Sequence, residues 1–111
     1  MIYAVDFDGT LCSNRFPNIG KPNIKLIDFL IHEQLNGHKI ILNTMREDKF
    51  LDEAVVWCSK HGLKFDAIND NLQEMKDFYK NNPRKIFANV YVDDHNAKSG
   101  ICVNLPFEED N

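Results

Sequence analysis

The sequence predicts an α/β fold built on a mainly parallel central sheet of about five strands. Two observations carry this. Short unbroken apolar runs, at Ile2-Tyr3-Ala4-Val5 and Ile40-Ile41-Leu42, have the character of strands covered on both faces. Between such runs the apolar spacing shifts to the helical period, and strands alternating with helices imply crossovers and a parallel sheet. A length of 111 residues fits one core, so residues 1–111 read as a single domain.

Each element has its own local signals. After the first strand, Leu11 to Lys21 reads as a short loop. Pro22-Asn23 then opens a helix on which Ile24, Ile27, Leu30, Ile31 and Leu35 recur at helical spacing, and Gly37 stops it. The second strand is followed by a helical stripe of Phe50, Leu51, Ala54, Val55 and Cys58, with Lys60 and His61 in its last turn and Gly62 beyond. Phe65 to Ile68 reads as a third strand. Asp70 with Gln73 has the spacing of a capping box for a helix carrying Leu72, Met75, Phe78 and Tyr79. Asn81-Asn82-Pro83 ends that helix, Ile86 to Val92 leads into a fourth strand, and Ile101-Cys102-Val103 is an expected edge strand.

Composition narrows the function classes. With 43% hydrophobic and 27% charged residues the chain is expected to fold, which excludes disordered and collagen-like classes. Its 17 acidic against 13 basic side chains argue against an obligate nucleic-acid coat, and Arg15, Lys21 and Lys25 are too sparse for a basic patch. No apolar run approaches the roughly 18 residues of a membrane span, and no leader precedes the first strand, so no membrane partner is expected. Cys12, Cys58 and Cys102 form no CxxC pair and no disulfide framework, which suits a reducing cytoplasm.

Chemistry gathers where the strands end. The first is followed by Asp6-Phe7-Asp8-Gly9-Thr10, the second by Asn43-Thr44-Met45-Arg46, the fourth by Asp93-Asp94-His95-Asn96. Parallel neighbours bring all three clusters to one sheet edge, where open α/β folds place their ligands. Four carboxylates so close would repel one another, and a hard divalent cation such as Mg²⁺ resolves the conflict through oxygen ligands. Arg46 either grips an anionic substrate or is spent on an ion pair with Glu47 or Asp48 or on capping a loop. His95 either lines the pocket or sits in solvent. Trp57 reads as helix packing rather than a base-stacking platform.

Asp6-Phe7-Asp8-Gly9-Thr10 resembles the DxDGT signature of the haloacid dehalogenase superfamily of phosphohydrolases. Thr44 is similar to its second motif, Lys85 (or the adjacent Arg84) to its basic third motif, and Asp93-Asp94 to its acidic fourth. The resemblance spans residue 1 to about residue 99, and it implies a Rossmann-like three-layer fold. It also implies a Mg²⁺-dependent phosphomonoesterase working through an aspartyl-phosphate. In that scheme Asp6 is the nucleophile and Asp8 the general acid and base, which should carry a proton when substrate is bound. Thr44 and Lys85 complete the catalytic set, while Gly9, Thr10 and Arg46 bind substrate. The cation is held by Asp6, Asp8 through its carbonyl, Asp93 and Asp94.

Members of that superfamily often carry a cap domain after the first motif or between the second and third. Neither interval here is long enough, so the resemblance implies a capless protein whose site is open unless a loop or a second subunit covers it. The segment Cys12 to Pro17 is the expected lid or substrate contact. The partner expected is a phosphorylated small molecule or macromolecule end. The rival reading is a catalytically degenerate or receiver-like phosphate-binding module.

Overall fold

Ile2–Val5 forms strand β1, and its alternate residues serve two faces, as a central strand's must. The computed structural model describes residues 1–79 and 86–93. In chain order there follow β2 (Cys12–Arg15), β3 (Asn18–Pro22), α1 (Ile24–Leu35), β4 (Lys39–Leu42), α2 (Asp48–Lys60), β5 (Ala67–Ile68), α3 (Gln73–Tyr79) and β6 (Val90–Val92). The main sheet has four strands in the order β5-β4-β1-β6, every neighbouring pair parallel. This is the Rossmann-like three-layer α/β arrangement, with four described strands. The expected strand at 101–103 and the helix end at 81–83 lie outside the described residues, as do Arg84, Lys85, Asp94 and His95.

Tyr3 and Val5 of β1, Ile40 and Leu42 of β4, and Val90 and Val92 of β6 point to one face. There they pack with Leu26, Ile27 and Leu30 of α1 and Ala54 and Cys58 of α2. Ala4 and Ile41, also buried, belong to the opposite face. From β1 the chain steps to β4 and then β5, but from β5 it crosses back to β6 on the far side of β1. Right-handed crossovers place α3 on the face opposite α1 and α2, and the reversal falls between β1 and β6.

The helix starts and stops follow their local chemistry. Asn23 caps α1, its side chain accepting from the Leu26 N–H. Gly37 and Gly62, just past α1 and α2, stand at φ 92° and 88°, the left-handed geometry that glycine adopts at least cost. The apolar stripe of α1 is narrower than expected: Ile24 and Leu35 are exposed. Helix α3 begins at Gln73: the Leu72 carbonyl accepts from the Met75 and Lys76 N–H groups, and the Asp70 carboxylate accepts from the Asn71 N–H and the Lys76 ammonium. The expected strands at 65–68 and 86–92 shorten to their last two and three residues. Ahead of β6 the chain is tied otherwise, by the Phe87 N–H to Asn71 and by the Tyr91 hydroxyl to the Ile86 carbonyl.

The largest departure is the segment expected as a loop. Residues between β1 and α1 form an antiparallel hairpin, β2 against β3, with an irregular register between Cys12 and Asn14. Gly20 makes the close approach possible: a Cβ there would sit 2.2 Å from the Ser13 carbonyl oxygen. Periodicity misses such a hairpin because its residues are polar and mostly exposed on both faces. The intervals on either side of β4 hold no domain-sized insertion among the described residues. No described helix is long and apolar enough to cross a membrane.

Candidate functional site

Ladder hydrogen bonds run past the strand ends and align the residues beyond them. The Asp6 N–H donates to the Val92 carbonyl at 3.0 Å, the Asn43 N–H to Val5 at 2.8 Å and the Asn69 N–H to Leu42 at 2.7 Å. Asp6, Asn43-Thr44 and Asp93 therefore meet at the carboxyl edge of the sheet. They line a cleft of about 410 Å³ whose remaining walls include Ala4, Met45 and Tyr91. The cleft spans β4, β1 and β6 and takes in the β1–β6 boundary where the crossover direction reverses, the place where open α/β sheets collect ligands.

Asp6 is half-buried, and one carboxylate oxygen accepts from the Phe7 N–H at 2.8 Å. Thr44 is braced from both sides. Its N–H donates to the Asn69 side chain at 2.7 Å, and its hydroxyl oxygen accepts from the Arg46 N–H at 3.2 Å. That second bond uses an oxygen lone pair and leaves the hydroxyl hydrogen for another acceptor. Asn69 does this from a left-handed backbone, φ 50°, a region asparagine tolerates better than most residues. It is a positioning residue that sequence reasoning missed; an Asn directly after an expected strand was the available signal.

Asp8 has a different neighbourhood. It does not line this cleft. Arg46 holds its carboxylate in a two-point pair, Nε to Oδ2 and Nη2 to Oδ1, both at 2.8 Å. The remaining guanidinium hydrogens go to the carbonyls of Pro17 and Phe50, at 3.3 Å each, and Asn18, at 2.9 Å. All five donors of Arg46 are thus consumed. Its guanidinium carbon lies between two rings, 4.9 Å from the Phe7 centroid and 5.0 Å from that of Phe16. Arg46 is 2% exposed. The hydrogen bonds to Asp8 raise its pKa against the opposing cost of burial.

Of the two roles expected for Arg46, this geometry displays the second: its donors go to Asp8 and to loop carbonyls, and the side chain is buried. The anticipated loop-capping role is present, but the ion partner is Asp8 rather than Glu47 or Asp48. Asp8 in turn accepts at both carboxylate oxygens.

Gly9 and Thr10 also have structural occupations. The Gly9 N–H donates to the Cys12 carbonyl at 2.9 Å, and its φ of 82° makes the turn after Asp8. Thr10 is 4% exposed, and its hydroxyl has no hydrogen-bond partner among the described residues. Both residues shape the turn, with the Phe7 carbonyl accepting from the N–H groups of Thr10 and Leu11. Neither lines the cleft. Lys85 and Asp94 lie outside the described residues, and among those described no cluster of three or more His, Cys, Asp or Glu side chains forms. Trp57 packs edge-on against Phe7, with centroids 5.5 Å apart, as a core residue does.

Comparison with known proteins adds one relation. No family model matches the chain, and no curated protein matches it. A solved structure of a conserved protein from Bacteroides thetaiotaomicron is similar over 91% of this chain and 80% of the other, with 39% identity and a TM-score of 0.77. Identity at that level over most of both chains accompanies the shared fold, and the chain belongs to the family of that conserved Bacteroides protein.

Proposed function

We propose that the protein is a Mg²⁺-dependent phosphomonoesterase of the haloacid dehalogenase type. The observation that supports this best is the shared cleft of Asp6, Thr44 and Asp93, assembled from three strand ends. Asp6 is the nucleophile. A carboxylate oxygen attacks phosphorus in line, the ester P–O bond breaks, and the departing oxygen takes up a proton. Water then attacks the aspartyl-phosphate, releasing inorganic phosphate and restoring the carboxylate. The Thr44 hydroxyl, with its oxygen engaged by the Arg46 N–H, directs its hydrogen to a phosphoryl oxygen.

The donor set fits the cation. Two carboxylates on neighbouring strand ends, Asp6 and Asp93, are hard oxygen donors and would hold the cation. When bound, Mg²⁺ neutralises phosphate charge. Asp8 delivers or takes a proton only after its side chain turns from Arg46. The buried thiols of Cys12 and Cys58 accord with a reducing cytoplasm.

That Asp8–Arg46 pair is also the observation favouring a second reading, a phosphate-binding module without turnover. One assay separates the two. The esterase reading expects p-nitrophenyl phosphate hydrolysis that requires Mg²⁺ and falls by on the order of a thousandfold or more in Asp6→Asn. Phosphate binding without hydrolysis supports the module; hydrolysis that survives Asp6→Asn removes Asp6 as nucleophile.

A further inference from the structure

Next to the acidic cleft lies another of about 410 Å³, whose walls include Phe16, Met45, Lys49 and Phe50. Met45 belongs to both clefts and is 95% exposed, an apolar side chain standing between the two in water. Such exposure gives it no packing role, and methionine is the side chain that adapts best to a bound surface. Phe16 is 54% exposed yet fixed in place. Arg46 supports it at 5.0 Å, and the Phe50 ring meets it at 5.6 Å with an interplanar angle of 61°. Because Arg46 also holds Asp8, the aromatic platform and the turn after Asp6 are parts of one rigid unit.

We propose that this second cleft is the leaving-group subsite and that it takes a planar aromatic group, an aryl or heteroaryl ring carried on the phosphate, stacked on Phe16 and Met45. The proposal rests on the phosphohydrolase reading of the acidic cleft. The Arg46 guanidinium has no donor left for a leaving group, so the anchored surface of the cleft is aromatic. A polyanionic leaving group would meet Glu47 and Asp48, which also line the cleft. A ring gains from the anchored Phe16 what an alkyl group does not, the offset or edge contact between aromatic quadrupoles.

Non-hydrolysable phosphonates isolate this subsite from chemical reactivity. Benzylphosphonate and methylphosphonate are compared as competitive inhibitors of p-nitrophenyl phosphate hydrolysis, with wild type, Met45→Ser and Phe16→Leu. Wild type should bind the benzyl compound about tenfold more tightly. Each substitution should bring the ratio to about twofold, whereas general damage would weaken both inhibitors alike. Phe16→Leu keeps an apolar cover over Arg46. Should it fail to fold, Met45→Ser carries the test, since that side chain is almost wholly in water. Equal inhibition by the two phosphonates, or a ratio unmoved by Met45→Ser, overturns the subsite while hydrolysis stands. Absence of hydrolysis in wild type overturns the parent reading and this one with it.

Discussion

Asp6 and Asp8 stand two residues apart and live in opposite surroundings. Asp6 faces an open cleft that it shares with a second carboxylate, Asp93. Asp8 is locked to a buried arginine whose every donor is used. One turn of chain therefore sends one carboxylate to the cleft and the other to the arginine. The difference separates two purposes. Asp6 stands where a ligand can reach it, whereas the charge of Asp8 is already matched by a buried cation, so the proton transfer proposed for Asp8 requires that pair to open.

The sharpest challenge to this contrast is a pair of substitutions followed by urea unfolding. Arg46→Met strips the Asp8 carboxylate of its partner and should cost about 3 kcal/mol, the low end for a broken buried pair because Asp8 retains some contact with water. Asp6→Asn keeps an oxygen for the Phe7 N–H. In the absence of divalent cations it should cost less, about 1 kcal/mol or below. If both variants lose comparable stability, the two carboxylates are not distinct in kind.

A smaller effect tests how the cleft is braced. Asn69→Ala removes the acceptor for the Thr44 N–H and places a Cβ residue without a polar side chain at φ 50°. A loss of about 1–2 kcal/mol is expected, accompanied by weaker phosphate inhibition. Unchanged inhibition would mean that Thr44 is positioned without Asn69.

The smallest effect is silent at neutral pH. Burial pushes the Cys58 thiol up to about 12, and burial with the hydrogen bond and charge of Glu33 does the same to the Tyr3 hydroxyl. Both groups bind protons more tightly when folded. Their contribution is complete below the ordinary pKa values, 9 for the thiol and 10 for the phenol, and drains away as pH climbs toward 12. Stability should be flat across neutral pH and decline above about pH 9. Cys12, whose thiol is also raised by burial and lies near Asp8 and Arg46, serves as a reporter of the arginine network. It should resist alkylation in wild type and react faster in Arg46→Met.

The sheet edge was legible because strand ends announce themselves. An apolar run that stops at Asp6, Asn43 or Asp93 places those residues at the carboxyl side of parallel neighbours whatever the rest of the chain does. Helix boundaries at Asn23, Gly37 and Gly62 were equally readable, since capping and left-handed geometry are local. The fate of Arg46 was not. An arginine two residues beyond Thr44 has the same sequence environment whether it reaches for a ligand or turns inward, and the choice depends on contacts with Asp8, Pro17, Asn18 and Phe50. The hairpin was hidden for a related reason: its strands are short, polar and closed by a glycine contact rather than by alternating apolar residues.

The hairpin's attachment also has a consequence for how this fold can be altered. Asn23 receives the chain on its return, its backbone N–H bonding the Leu11 carbonyl at 2.8 Å and its side chain the Thr10 carbonyl at 3.1 Å. Departure and re-entry are thereby stapled side by side, so a longer excursion between them changes little but loop entropy. Grafted modules of quite different size should be accommodated at this junction, provided that each newcomer brings its own roof for the guanidinium beneath.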